Sequence, residues 1–138
     1  MMNLDYLAGL IDGEGTLSFM SSPRHKRTSI VHRPYLSISN TSRELLLQVV
    51  ESLDCGSIIC HGARDPKKHR TAYSFRLNGP RLYPVLHSLR DRLHLKRPQC
   101  EALLVWIEKR SIDKTRGYTE ADHALVERVK LMNSRGVR

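Results

Sequence analysis

The chain has 138 residues, 40% of them apolar, which suits one domain with a real core and leaves too little for two. Its formal net charge is +9, a balance that favours a polyanionic partner over an acidic-surface or neutral one. No apolar run approaches the roughly 18 residues that cross a bilayer, and no cationic stretch precedes an apolar one at the start, so neither a membrane partner nor a secretory leader is expected. The expectation is a soluble intracellular protein occupying residues 1–138 as a single domain.

In chain order, the first expected element is a helix from Asn3 to Asp12, with Asn3 as cap and Leu4, Leu7, Ala8 and Ile11 recurring at helical spacing. Gly9 inside it costs about 1 kcal/mol against alanine, which makes sense where another helix packs very close. Thr16–Ser22 and Pro34–Ser39 then alternate as strands. Leu17, Phe19, Leu36 and Ile38 are expected inward; Ser18, Met20, Ser22, Tyr35 and Ser37 outward. The basic stretch between them, Pro23–Arg33, reads as a mobile hairpin tip. Asn40, Thr41 and Ser42 lead into a helix over Arg43–Leu53, closed by Gly56.

The pattern repeats with strands at Ser57–His61 and Thr71–Leu77, placing Tyr73, Phe75 and Leu77 inward and Arg70, Ala72, Ser74 and Arg76 outward. Helices follow at Arg81–Leu93, from Pro98 to about Arg110, and from a Thr119 cap to about Met132. The ordering implies an α+β fold: a four-stranded antiparallel sheet with helices on one face and a polar, basic face left open. Such a face suits a duplex groove, since alternate side chains can reach base edges.

Two basic clusters fall at matching places on the two hairpins: Arg24, Lys26, Arg27 and Arg33, then Arg64, Lys67, Lys68, Arg70 and Arg76. A plain solvated surface is the simple alternative, but paired clusters favour nucleic acid. The basic residues do not line an amphipathic helix, which weakens a membrane-surface reading. Cys55, Cys60 and Cys100 make no even disulfide framework and fit a reducing compartment. With His61 and His69 they match no usual zinc spacing, and are read as ordinary strand and loop residues.

The segment Tyr6-Leu7-Ala8-Gly9-Leu10-Ile11-Asp12-Gly13-Glu14-Gly15 carries the most specific signal. An acid at the C-terminal end of a helix sits where the dipole favours a cation. Glycines on either side let the chain leave the helix abruptly and bring carbonyls near a metal. This segment closely resembles the signature of the LAGLIDADG homing endonucleases, and the element order matches that family's αββαββα core with a saddle-shaped sheet and additional C-terminal helices.

The resemblance spans nearly the whole chain and implies a metal-dependent, site-specific double-stranded DNA endonuclease, commonly intron-encoded, whose nucleophile is metal-activated water. By resemblance Glu14 binds the catalytic metal and Gly13 offers its backbone carbonyl. The family's acid is commonly Asp, so Glu14 is a mild departure. Mg²⁺ is the implied cofactor; Mn²⁺ or Ca²⁺ can occupy such a site, and Ca²⁺ is not expected to support cleavage.

A single motif implies a homodimer, with Leu7, Ala8, Ile11 and Asp12 assigned to the interface, a pseudo-palindromic target and short 3′ overhangs. Lys96 corresponds to the family's active-site lysine and Asn40 to a residue that orders water; Arg43 could do similar work. The expected DNA contacts are Ser18, Met20, Ser22, Arg24, Lys26, Arg27, Arg33, Tyr35, Ser37, His61, Arg70, Ser74 and Arg76, with Met20 and Ile59 apolar on that face. The alternative is a cleavage-inactive DNA-binding regulator or an intron RNA maturase of the same fold, the only reading with an RNA partner. Such genes occur in bacteria, phages and organelles, so the compartment stays open.

Overall fold

In the computed structural model, residues 2–23, 30–62, 71–112 and 117–134 are described. Helix α1 (Leu4–Glu14) starts where the Asn3 side chain accepts the Tyr6 N–H at 2.7 Å, satisfying a first-turn donor. It ends at Gly15, whose N–H donates to the Ile11 carbonyl. A Cβ at Gly15 would lie 2.9 Å from the Ile11 backbone, so only glycine can pass from helix to strand there.

Strands β1 (Gly15–Pro23), β2 (Ile30–Asn40), β3 (Ser57–His61) and β4 (Ala72–Asn78) form one antiparallel sheet in the order β1-β2-β4-β3. β1 and β2 pair from Gly15↔Ile38 to Pro23↔Ile30, longer than the alternation suggested, so Pro23 and Ile30 to Arg33 of the expected hairpin tip are strand, and the rest of it lies outside the described residues. Helix α2 (Arg43–Leu53) takes its cap from the Ser42 hydroxyl and closes on Asp54 in the left-handed region. Gly56 also has a positive φ, and a Cβ there would meet the Phe75 ring at 2.3 Å.

Helices α3 (Leu82–Leu89), α4 (Arg97–Ile112) and α5 (Glu120–Asn133) complete the fold. The single helix expected over Arg81–Leu93 is therefore interrupted. A 3₁₀ turn at Arg90–Arg92 follows α3, and Leu93 is extended. The Arg97 guanidinium satisfies the carbonyls this break exposes, bonding Arg90, Asp91 and Leu93. α5 begins in a capping box between Thr119 and Asp122.

The core lies between the helices and one sheet face. Leu17, Leu36, Ile38 and Phe75 are fully buried, as are Leu7 and Ile11 of α1, Leu46 and Val49 of α2, Leu82, Leu86 and Leu89 of α3, Leu103 of α4, and Val126 and Val129 of α5. Their removal from water is the main stabilising term.

The register fixes the open face, because directly paired residues in an antiparallel sheet share a side. Ser18↔Tyr35, Met20↔Arg33, Ser37↔Arg76, Ser39↔Ser74 and Ile59↔Ser74 all lie there, opposite the core.

The interface assignment is corrected. Leu7, Ala8 and Ile11 are at most 1% exposed and face the chain's own core, so they cannot meet a second copy. Helical spacing puts Tyr6, Gly9, Leu10 and Gly13 on the opposite side of α1. Tyr6 is 56% exposed, and neither Gly9 nor Gly13 has anything within 4 Å of where a Cβ would stand. Asp12 is also occupied within the chain, as its bonds below show.

Candidate active site

The turn from α1 into β1 carries Gly13 and Glu14, with Asn40 bonded to Glu14 and Lys96 bonded to Asp12. Asn40 ends β2 and donates its Nδ2 hydrogen to Glu14 Oε2 at 2.7 Å. Its Oδ1 accepts the Ser42 N–H at 2.7 Å, which fixes the amide orientation, since that oxygen must face the donor. Glu14 and Gly13 are both exposed. Gly13 lies in the last turn of α1, where helical bonding leaves carbonyls without an intrahelical partner.

Lys96 reaches the same turn from the far side of the chain. Asp12 accepts the His94 N–H on Oδ2 at 2.8 Å and the Lys96 N–H on Oδ1 at 2.9 Å. The Lys96 ammonium donates to the Asp12 carbonyl at 3.4 Å. Asp12 thus works as a clamp that places Lys96 at the end of α1. A cavity of ≈ 420 Å³ opens here, lined by Gly13, Lys96, Gln99 and Asn133 among others. Arg43 lies in the first turn of α2, three positions beyond Asn40.

The donor set fits a hard divalent cation. It offers a carboxylate with one oxygen already oriented by Asn40, a helix-terminal carbonyl and space for water. Among the described residues, no group of three or more His, Cys, Asp or Glu side chains is placed to hold a metal. Of the two acids at this helix end, Asp12 is turned to the His94 and Lys96 N–H groups and Glu14 to Asn40.

On the open sheet face, Met20, Ser22, Arg33, His61 and the apolar Ile59 are exposed, while Tyr35, Ser37 and Arg76 are half-buried. Ser18 and Ser74 occupy that face but are only 6% and 4% exposed. Longer neighbours cover them, and the Ser74 hydroxyl bonds Ser39 Oγ and His61 Nε2, both at 2.9 Å. The Arg76 Nε is buried without a partner. Arg24, Lys26, Arg27 and Arg70 lie outside the described residues.

Sequence reasoning missed a second polar cluster, on the helix side of the sheet. His32, only 7% exposed, packs among Trp106, Tyr118 and His123. Its signal was a histidine on the inward parity of β2, in register with the apolar Leu36 and Ile38.

No family model matches the sequence, and no curated protein matches it. Solved structures do. The homing endonuclease I-CvuI, in complex with the I-CreI target and with magnesium present, superimposes with a TM-score of 0.79 at 24% identity, covering 98% of this chain and 84% of that one. The archaeal intron-encoded homing endonuclease I-Vdi141I, complexed with DNA, gives 0.78 at 19% identity over 98% and 86%. The LAGLIDADG homing endonuclease I-LtrWI, bound to target DNA, gives 0.72 at 18% identity over 99% and 45%.

The chain has the LAGLIDADG homing-endonuclease fold. The expected αββαββα core, the four-stranded antiparallel sheet and the C-terminal helices are all present. Within this fold the motif spans α1 and the first residue of β1, so its helical part supplies Leu7, Ala8 and Ile11 to the core. The chain spans most of I-CvuI and I-Vdi141I but less than half of I-LtrWI. Among the described residues no helix is long and apolar enough to cross a membrane.

Proposed function

We propose that this chain belongs to the LAGLIDADG family and acts as a homodimeric, divalent-metal-dependent, site-specific double-stranded DNA endonuclease. One observation carries the reading: at the end of α1, where it runs into the sheet, Asn40 bonds Glu14 and Lys96 bonds Asp12, on either side of Gly13. A solvated acid in a turn needs no partner, whereas this one has an oxygen fixed by an oriented amide and a lysine held near its helix end.

Glu14 and the Gly13 carbonyl are the residues that would hold Mg²⁺. A bound divalent cation would supply Lewis acidity for hydrolysis of a phosphodiester. Asn40 orients the carboxylate and offers a polar edge to water. Lys96 contributes positive charge against the phosphate as charge develops there, and Asp12 keeps it in place.

Each chain brings one carboxylate, so cutting both strands calls for two copies related by a two-fold axis. The outward face of α1, with Tyr6, Gly9, Leu10 and Gly13, suits that contact because glycines allow close helix approach. It also places both Glu14 turns near the axis. The longer I-LtrWI chain has room for two such folds, which supports the same pairing. The open face then lies against duplex DNA. Arg76, its Nε buried and unpartnered, is held in the middle of that face as a candidate base reader, and Arg33 stands beside Met20.

A plasmid library with randomised inserts, incubated with the protein and Mg²⁺, tests this reading. Linear products whose ends carry short 3′ overhangs around a pseudo-palindrome are expected. Absence of linear product, with tighter binding to structured RNA than to duplex DNA, would favour the maturase alternative.

A further inference from the structure

His32 is a nearly buried histidine outside the candidate active site, and it joins two parts of the fold. Its Nδ1 lies 2.7 Å from Ser21 Oγ on β1, and its Nε2 lies 3.0 Å from His123 Nδ1 on the first turn of α5. Its backbone N–H donates to the Tyr118 hydroxyl at 3.1 Å. Lys130, further along α5, donates to the same Ser21 hydroxyl at 2.6 Å. The His32 ring stacks on Tyr118 at 5.1 Å and meets Trp106 of α4 edge-on at 5.9 Å. Among the described residues, these bonds tie α5 to the β1–β2 pair.

We propose that the His32–His123 couple is an acid-sensitive latch that holds α5 on the sheet and opens when both rings are protonated. The contact between the two ring nitrogens accommodates one hydrogen, contributed by either ring. With a single added proton on the pair, that arrangement survives, because the other His32 nitrogen can donate to Ser21. With both rings doubly protonated, two donors face each other at 3.0 Å and two like charges adjoin. The proton that turns both facing nitrogens into donors is the one that breaks the bond.

The surrounding charges decide how hard protonation is. Burial holds the His32 imidazole below its ordinary 6.5, and His123 and Lys130 push the same way, while Glu127 and Asp122 oppose them. Asp122 is largely neutralised by Lys109 at 2.8 Å, so it offsets little. Arg110 lies over the Tyr118 and Trp106 rings, adding another positive charge to the cluster. The unfolded chain therefore takes up the His32 proton first as pH falls. The latch is fully effective above pH 6.5 and weakens below it.

Release would reach the other end of α5. There Asn133 donates to the Leu17 carbonyl of β1 at 2.9 Å and accepts from Gln99 at 3.2 Å, forming one wall of the cavity beside Gly13 and Lys96. The latch itself does not depend on the nuclease reading.

The test uses the full chain, titrated from about pH 8 to about pH 5, the range in which histidines change charge. Trp106 is the chain's only tryptophan, and its fluorescence reports protonation of the adjacent His32. Amide hydrogen exchange over 120–133, corrected for its intrinsic pH dependence, reports docking of α5. The wild type should lose protection in α5 as pH falls through this range. His123→Gln keeps an acceptor for the His32 Nε2–H but cannot be protonated. Its α5 should lose clearly less protection than the wild type's even as Trp106 still reports His32, because the facing donors are gone while the burial of His32 remains. His123 is exposed, so this variant should fold. Wild-type protection that stays flat, or an equal loss in His123→Gln, would overturn the latch.

Discussion

Replacing Gly9 by alanine should move folding and association in opposite directions. Gly9 lies inside α1 on its outward face, and a Cβ there meets nothing within 4 Å in its own chain. The monomer therefore gains helix propensity without a clash, about 1 kcal/mol. For a chain of this size that is a rise in Tm of about 4 °C. If two α1 helices pack through this face, each added methyl intrudes on the partner at about 1–3 kcal/mol, and the symmetry doubles it to about 2–6 kcal/mol. At about 1.4 kcal/mol per factor of ten, the dimer weakens by about 30-fold or more. Thermal unfolding of dilute protein and sedimentation equilibrium measure the two effects separately. A chain destabilised by the methyl, or a dimer constant left unchanged, would refute the assignment of this face.

Ile11→Ala, on the buried side of the same helix, should cost about 2–5 kcal/mol of folding stability in urea titrations, at any protein concentration. Asp12→Ala removes the acceptor of the His94 and Lys96 N–H groups. Because water can reach these donors, the expected stability loss is about 2 kcal/mol, while displacement of Lys96 should slow cleavage about a hundredfold in single-turnover assays. Burial pushes the Cys100 thiol up to about 12, whereas Cys60 is exposed. Mass spectrometry after alkylation at neutral pH should find Cys60 modified and Cys100 spared until the chain is unfolded.

Much of this fold could be read from local chemistry. The bounds of α2 followed from Ser42 as cap, and those of β3 from the glycine ahead of it and the alternation after it. The length of β2 did not. Its inward position 32 is a histidine whose burial is made tolerable by Ser21, Tyr118 and His123, so the apolar alternation disappears just where the strand begins.

The α1 helix misled for a related reason. Apolar residues lie on both of its sides, and spacing alone does not say which side meets the chain's own sheet. Gly9 lies on the other side, with open space where its Cβ would stand, which is why the proposed contact is drawn there. The Asn40–Glu14 bond joins a strand end to the motif, two places the sequence already singled out. Asp12 as a clamp was not legible, because its partners lie some eighty residues away and are backbone N–H groups that no side-chain pattern reveals.

The central claim is that Glu14 is the carboxylate on which cutting depends. Glu14→Gln keeps an oxygen for the Asn40 amide, so stability should stay within about 0.5 kcal/mol of wild type. The direct measurement is cleavage of a selected DNA target with Mg²⁺ by both proteins, with target binding followed in parallel by gel shift. The account predicts that the wild type cuts both strands, while Glu14→Gln binds the target comparably and leaves it intact. Equal cleavage by the two proteins would contradict it.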